Sequence, residues 1–227
     1  MRYLFALIVG AGGVAVLLAL GVWQMQRLHW KEAILDEIDS RIAADPVPLP
    51  AAPDSRADRY LPVRVEGRTG ARELHVLVST RDLGPGFRIV TSLDTDSGRR
   101  ILLDRGFVAA NRKNETRLPT HVAINGNLHW PDERDGFTPE NDVGGNFWYA
   151  RDVAEMARAL GAEPVLVVAR DGGGGVVTPL PVDSAGIPNN HLGYAVQWFG
   201  LAAVWAGMTL LLLRRMARRT PESEEKT

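Results

Sequence analysis

Two long apolar runs bracket a charged middle. Residues 3–25 carry no charge and follow only Arg2, whereas residues 192–213 carry none and are followed at once by Arg214, Arg215, Arg218 and Arg219. As a helix the second run is about 33 Å long, enough to cross a bilayer core. The first run is as long, and its helical spacing continues past its end, with Trp23, Trp30, Ile34, Ile38 and Ile42 on one face. The pattern predicts transmembrane helices at residues 1–25 and 191–213. The first is prolonged over residues 26–52 as an amphipathic extension and a linker with prolines at 46, 48, 50 and 53. A secretory signal cut near Ala19-Leu20-Gly21 competes for the first run. Periodicity that runs through the cut favours a permanent anchor.

Between the spans, residues 53–190 read as a β-rich domain. Strand patterns fall at 60–67, 73–79, 87–93, 100–108 and 121–130, the last interrupted at Gly126. Gly84-Pro85-Gly86 and residues 94–98 read as turns. Residues 152–160 predict a short helix, capped by Asp152 and ended by Gly161. Residues 165–169 and 176–178 flank Asp171-Gly172-Gly173-Gly174-Gly175 as a hairpin. The expected fold is therefore a membrane protein of α+β class. Two transmembrane helices flank a mostly antiparallel extracytoplasmic domain, a curved sheet or small barrel with one or two short helices. Residues 214–227 form a basic and then acidic tail. Small residues at four-residue spacing, Ala11, Ala15 and Ala19 in one span and Ala203 and Gly207 in the other, predict the faces on which the spans pack.

Composition narrows the function classes. Among 227 residues there is no cysteine, which excludes disulfides, thiolate metal sites and thiol catalysis. A net charge of −1 gives no basis for a nucleic-acid partner. The arginines after the second span place both termini in the cytoplasm and the middle outside. With no Arg- and Ser-rich presequence, the expected location is a bacterial cytoplasmic membrane with a periplasmic domain. Lipid is then the first partner.

The middle domain offers little chemistry. The glycine run lacks the Lys-Ser/Thr of a phosphate loop. Asp132, Glu133 and Asp135 read as a solvated polar turn, and Arg105-Gly106-Phe107 as a structural one. Ser79, Thr80 and Ser184 have no neighbouring histidine, and His121 and His129 are too far apart in sequence for a paired metal site. No catalytic site is expected, and the protein is not read as an enzyme. The distinctive residues lie at the membrane boundary. His191 stands at the mouth of the second span, with Tyr194, Trp198 and Trp205 following at offsets of three, seven and fourteen.

Two stretches at that boundary carry a resemblance. Gly21-Val22-Trp23-Gln24-Met25-Gln26-Arg27-Leu28-His29-Trp30-Lys31 leaves the first span, and Pro188-Asn189-Asn190-His191-Leu192-Gly193-Tyr194-Ala195-Val196-Gln197-Trp198-Phe199 enters the second. They resemble the two signatures of the Surfeit locus protein 1 family, assembly factors for cytochrome c oxidase. The middle agrees in order: Gly86-Phe87-Arg88-Ile89-Val90-Thr91, Leu103-Asp104-Arg105-Gly106-Phe107-Val108, Asn125-Gly126-Asn127-Leu128 and Phe147-Trp148-Tyr149-Ala150-Arg151-Asp152. Phe107 departs from the tryptophan frequent in the family, and the tail after Pro221 matches no motif.

The resemblance implies a membrane assembly factor that takes up haem a and passes it to the largest oxidase subunit, with that subunit and haem a synthase as partners. It assigns the iron to His191. The residues themselves suit such a cargo. A neutral imidazole is an ordinary axial ligand for haem iron, and an apolar macrocycle suits Tyr194 and Trp198. Trp23 and Gln24 end the first span at the same height, and Arg27 and Lys31 lie within reach of propionates. The same aromatic residues also serve simply as interfacial anchors, and Asn189-Asn190 as a helix cap. A cofactor-free scaffold that holds assembly intermediates through the β domain remains the alternative.

Overall fold

The computed structural model describes residues 1–171 and 177–218. Helix α1 (Arg2–Ala43) runs unbroken from the first apolar stretch through its amphipathic extension. Helix α3 (His191–Arg218) holds the second. Both are long and apolar enough to cross a membrane. The chain divides into two compact units. One comprises Met1–Glu37 with the chain from Ala185 onward, and the other Ile38–Ser184.

The second unit is built on six strands: β1 (Val47–Pro48), β2 (Pro62–Thr80), β3 (Gly84–Thr95), β4 (Arg100–Ala109), β5 (His121–Leu128) and β6 (Leu166–Ala169). A short 3-10 turn, Ala110–Arg112, follows β4, and helix α2 (Val153–Leu160) precedes β6. Their order is β1-β2-β3-β4-β6-β5, and β5 pairs back onto β2. Five strands therefore close a ring, with β1 appended beside β2. The sheet is mixed: four of its strand pairings are antiparallel, as expected, and two short ones are parallel. β6 enters between β4 and β5, parallel to the former, and β1 runs parallel to β2.

Glycine explains most differences from the sequence pattern. The strands expected at 60–67 and 73–79 are one strand, β2, whose pairing shifts between Thr69 and Glu73. Its first half pairs with β5 and its second with β3, with Gly67 paired to both. A Cβ at Gly67 would fall 2.3 Å from the Asp94 carbonyl oxygen, so the close crossing depends on glycine. Likewise Gly126 does not interrupt β5 but pairs with Val63 and Ala169. Gly84-Pro85-Gly86 belongs to β3, and Val47–Pro48, expected as linker, pairs with Val63 and Arg64. The glycine turn at 172–175 lies outside the described residues, as does the acidic tail. Thr178 beyond it bridges to Phe107.

Alternation along the strands sorts the core into layers. Val63, Val65, Leu93, Ile101, Leu103, Ile124, Leu128 and Val167 fill one cluster, drawn from all five ring strands. Leu102, Leu166 and Val168 point the other way, to Trp148 and the apolar face of α2, Val153, Met156 and Leu160. β6 is thus buried on both sides, which accounts for its unbroken run of Leu166, Val167, Val168 and Ala169. α2 begins where Asp152 accepts a hydrogen bond from the Glu155 N–H at 2.8 Å. It ends at Gly161, whose φ of 63° needs no Cβ.

Candidate functional site

In the first unit the two long helices pack through faces that differ from the expected ones. Ala11, Ala15, Ala19, Ala203 and Gly207 are all exposed. The close approaches are at Gly10, Gly13 and Gly21. Cβ atoms there would collide with Thr209, Trp205 and Phe199 respectively. On α3 the inward positions include Ala195 and Ala202, seven residues apart. Such seven-residue spacing keeps one stripe toward a partner helix, where four-residue spacing of alanines drifts around the helix.

At the mouth of this pair the structure brings together two of the expected residues. The Nδ1 of His191 lies 2.8 Å from the Oε1 of Gln24. Gln24 is buried, while His191 is half-buried at the first position of α3. An amide oxygen only accepts, so Nδ1 carries the proton and the lone pair sits on Nε2. Among the described residues that Nε2 has no hydrogen-bond partner. A metal-ligating histidine has this same arrangement, with the far nitrogen oriented by an acceptor. Two residues before it, the side-chain oxygen of Asn189 is buried without a donor. A side-chain cap from Asn189 is therefore not formed, and Tyr194 donates its N–H to the backbone oxygen of Asn190.

The other expected residues are placed less closely. Trp198 is half-buried, whereas Trp23 and Tyr194 each leave 51% of their surface uncovered. The guanidinium of Arg27 rests over the Trp30 ring at 4.1 Å, an exposed cation–π contact. Lys31 is half-buried. Among the described residues no three His, Asp or Glu side chains converge as a metal site. A group held here would rely on one protein ligand and apolar surface. A haem fits that donor set: one oriented imidazole with a free lone pair, beside large aromatic side chains.

The second unit holds a charge network that no single stretch of sequence signals. Asp104, fully buried, receives Arg88 Nη1 at 2.8 Å and Arg151 Nη1 at 3.1 Å. Its other oxygen accepts the Gly106 N–H at 3.0 Å, and the φ of 116° at Gly106 allows that turn inside β4. Arg151 continues to Glu133. Glu133 is therefore an ion-pair partner and not a freely solvated carboxylate. Burial raises its pKa, but the hydrogen bonds and charge of Arg151 outweigh this and hold it below the usual range. Nearby His129 stacks on Tyr60 at 5.5 Å, and burial, helped by Arg151 and Arg59, lowers its pKa to about 3. Arg105, read as part of a turn, lies within β4 and pairs with Glu73, which also holds Arg117. The carboxylates and guanidiniums of this network are paired internally, which marks them as structural, whereas the His129 Nδ1 is buried without a hydrogen-bond partner.

Residues 11–203 match the model of the SURF1 family. The chain is 33% identical over 230 residues to Surfeit locus protein 1 of Mus musculus, covering 91% of this chain and 74% of that protein. It is 34% identical over 231 residues to Surfeit locus protein 1 of Homo sapiens, covering 89% and 74%. It is 29% identical over 239 residues to a SURF1-like protein of Drosophila melanogaster, covering 91% and 76%.

Proposed function

The chain belongs to the SURF1 family, and from that premise we propose that it is a membrane-embedded assembly factor for cytochrome c oxidase that carries haem a. His191 supplies the axial ligand, and the cargo passes to the largest oxidase subunit, with haem a synthase as its source. The observation that carries this reading is the hydrogen bond between His191 Nδ1 and Gln24 Oε1. It fixes the tautomer that leaves Nε2 free to bind a metal. When bound, haem a brings an iron that accepts an imidazole and a broad apolar ring. Trp23, Tyr194 and Trp198 offer apolar surface to such a ring. Arg27 and Lys31 offer cations to its propionates, Arg27 being steadied by Trp30. The protein is a carrier and not an enzyme, set in a bacterial cytoplasmic membrane with its β unit periplasmic.

The competing reading, a cofactor-free scaffold, draws support from apolar side chains that the β unit leaves exposed, notably Leu118 and Phe137. Purification of wild type and His191→Ala from haem a-producing cells separates the two. The variant should lose most bound haem and shift the Soret band of what remains. Unchanged stoichiometry and spectrum would favour the scaffold. Arg27→Ala should weaken binding while leaving the iron spectrum alone.

A further inference from the structure

Far from His191, at the arginine-flanked ends of α1 and α3, two adjoining cavities are lined by both helices. Where Gly10 meets Thr209 there is no room even for a methyl group, since a Cβ would fall 2.1 Å from Thr209 Cγ2. At that contact a cavity of about 250 Å3 lies between the helices, walled by Phe5, Val9, Gly10, Met208 and Thr209. It shares Phe5, Ala6 and Leu212 with a wider one of about 670 Å3 that reaches Arg2 and Met216. Arg215 follows Leu212 by three positions on α3, so helical spacing sets it on the same side of that helix. The result is an apolar slot with a cationic mouth.

We propose that this slot is a binding site for one anionic phospholipid, its acyl chain between Phe5 and Met208 and its phosphate between Arg2 and Arg215. Charge favours an anionic lipid over an apolar third helix. A neutral occupant would leave the arginines at the mouth without a partner, and basic pockets between spans on the cytoplasmic side suit anionic headgroups. The α3 wall, Met208 to Met216, lies beyond the segment that matches the family model.

The inference rests on the two-span reading but not on haem. Its test uses the full chain in mild detergent, titrated with dioleoyl phosphatidylglycerol or dioleoyl phosphatidylcholine and followed by native mass spectrometry. One phosphatidylglycerol should bind in preference, and Arg2→Gln and Arg215→Gln should each reduce that preference about fivefold. Ala6→Trp, which fills the slot without touching charge, should abolish the bound lipid while leaving haem content and the Soret band unchanged. A photocrosslinker at Val9 should capture lipid from membranes. Equal binding of the two lipids, a preference that survives Ala6→Trp, or a crosslink to polypeptide would overturn the proposal. Wild-type protein that prefers phosphatidylglycerol but carries no haem would instead count against the carrier function alone.

Discussion

The imidazole Nδ1 of His191 lies 2.8 Å from the amide oxygen of Gln24, although the two residues are 167 positions apart. Removing that acceptor should free the ring to rotate and to change tautomer. Gln24→Ala should therefore lower haem affinity by about 10- to 100-fold, with the axial ligand still present in the spectrum. Gln24→Glu keeps an acceptor and should retain more. The measurement is haem titration of purified variants. Equal affinity for wild type and Gln24→Ala would show that the contact does not orient the ligand.

The arginines after residue 213 should hold that end in the cytoplasm. Alkaline phosphatase fused after Ala52 should be active in cells, and fused after Met216 inactive. The opposite pattern would reverse the membrane orientation.

Asp104 is fully buried between Arg88 and Arg151. Asp104→Asn removes the charge that balances both, and should cost about 3–5 kcal/mol of stability. Asp132→Asn, at an exposed position, should change stability by less than about 0.5 kcal/mol. Thermal unfolding of the two variants side by side tests the contrast. Similar melting temperatures would mean that the network is not what secures the barrel.

His129 stays neutral in the fold down to about pH 3, whereas an unfolded histidine takes up a proton near pH 6.5. A lowered folded pKa on a base means that the unfolded state binds the extra proton. Stability is thus unaffected above pH 6.5 and is lost as the pH falls from there toward 3. At pH 5 the loss should be about 2 kcal/mol. His129→Phe, which keeps a ring against Tyr60, should flatten the urea midpoint between pH 7 and pH 5. A wild-type midpoint that does not move over that interval would contradict the assignment.

Runs and periods settled what local physics alone controls. Both long helices were legible because an uncharged stretch of about 20 residues has few other stable forms. Helix α2 was legible from its cap and its terminating glycine, and the strands from alternation. His191 and Gln24 stood out separately, as polar groups at the ends of apolar runs. That they touch depends on how α1 and α3 pack, which is decided by Gly10, Gly13 and Gly21 against bulky partners and not by the more regular alanines. Closure of the β unit was equally hidden. Gly67 and Gly126 look like breaks in a sequence, yet each permits a close backbone crossing that joins strands distant in the chain. Arg88, Asp104 and Arg151 lie in three separate motifs, and only the closed sheet unites them around one buried carboxylate. Local sequence determines which groups a segment presents and with what period. Which of them meet depends on backbone approach and burial across the whole fold, and those are properties of no single segment.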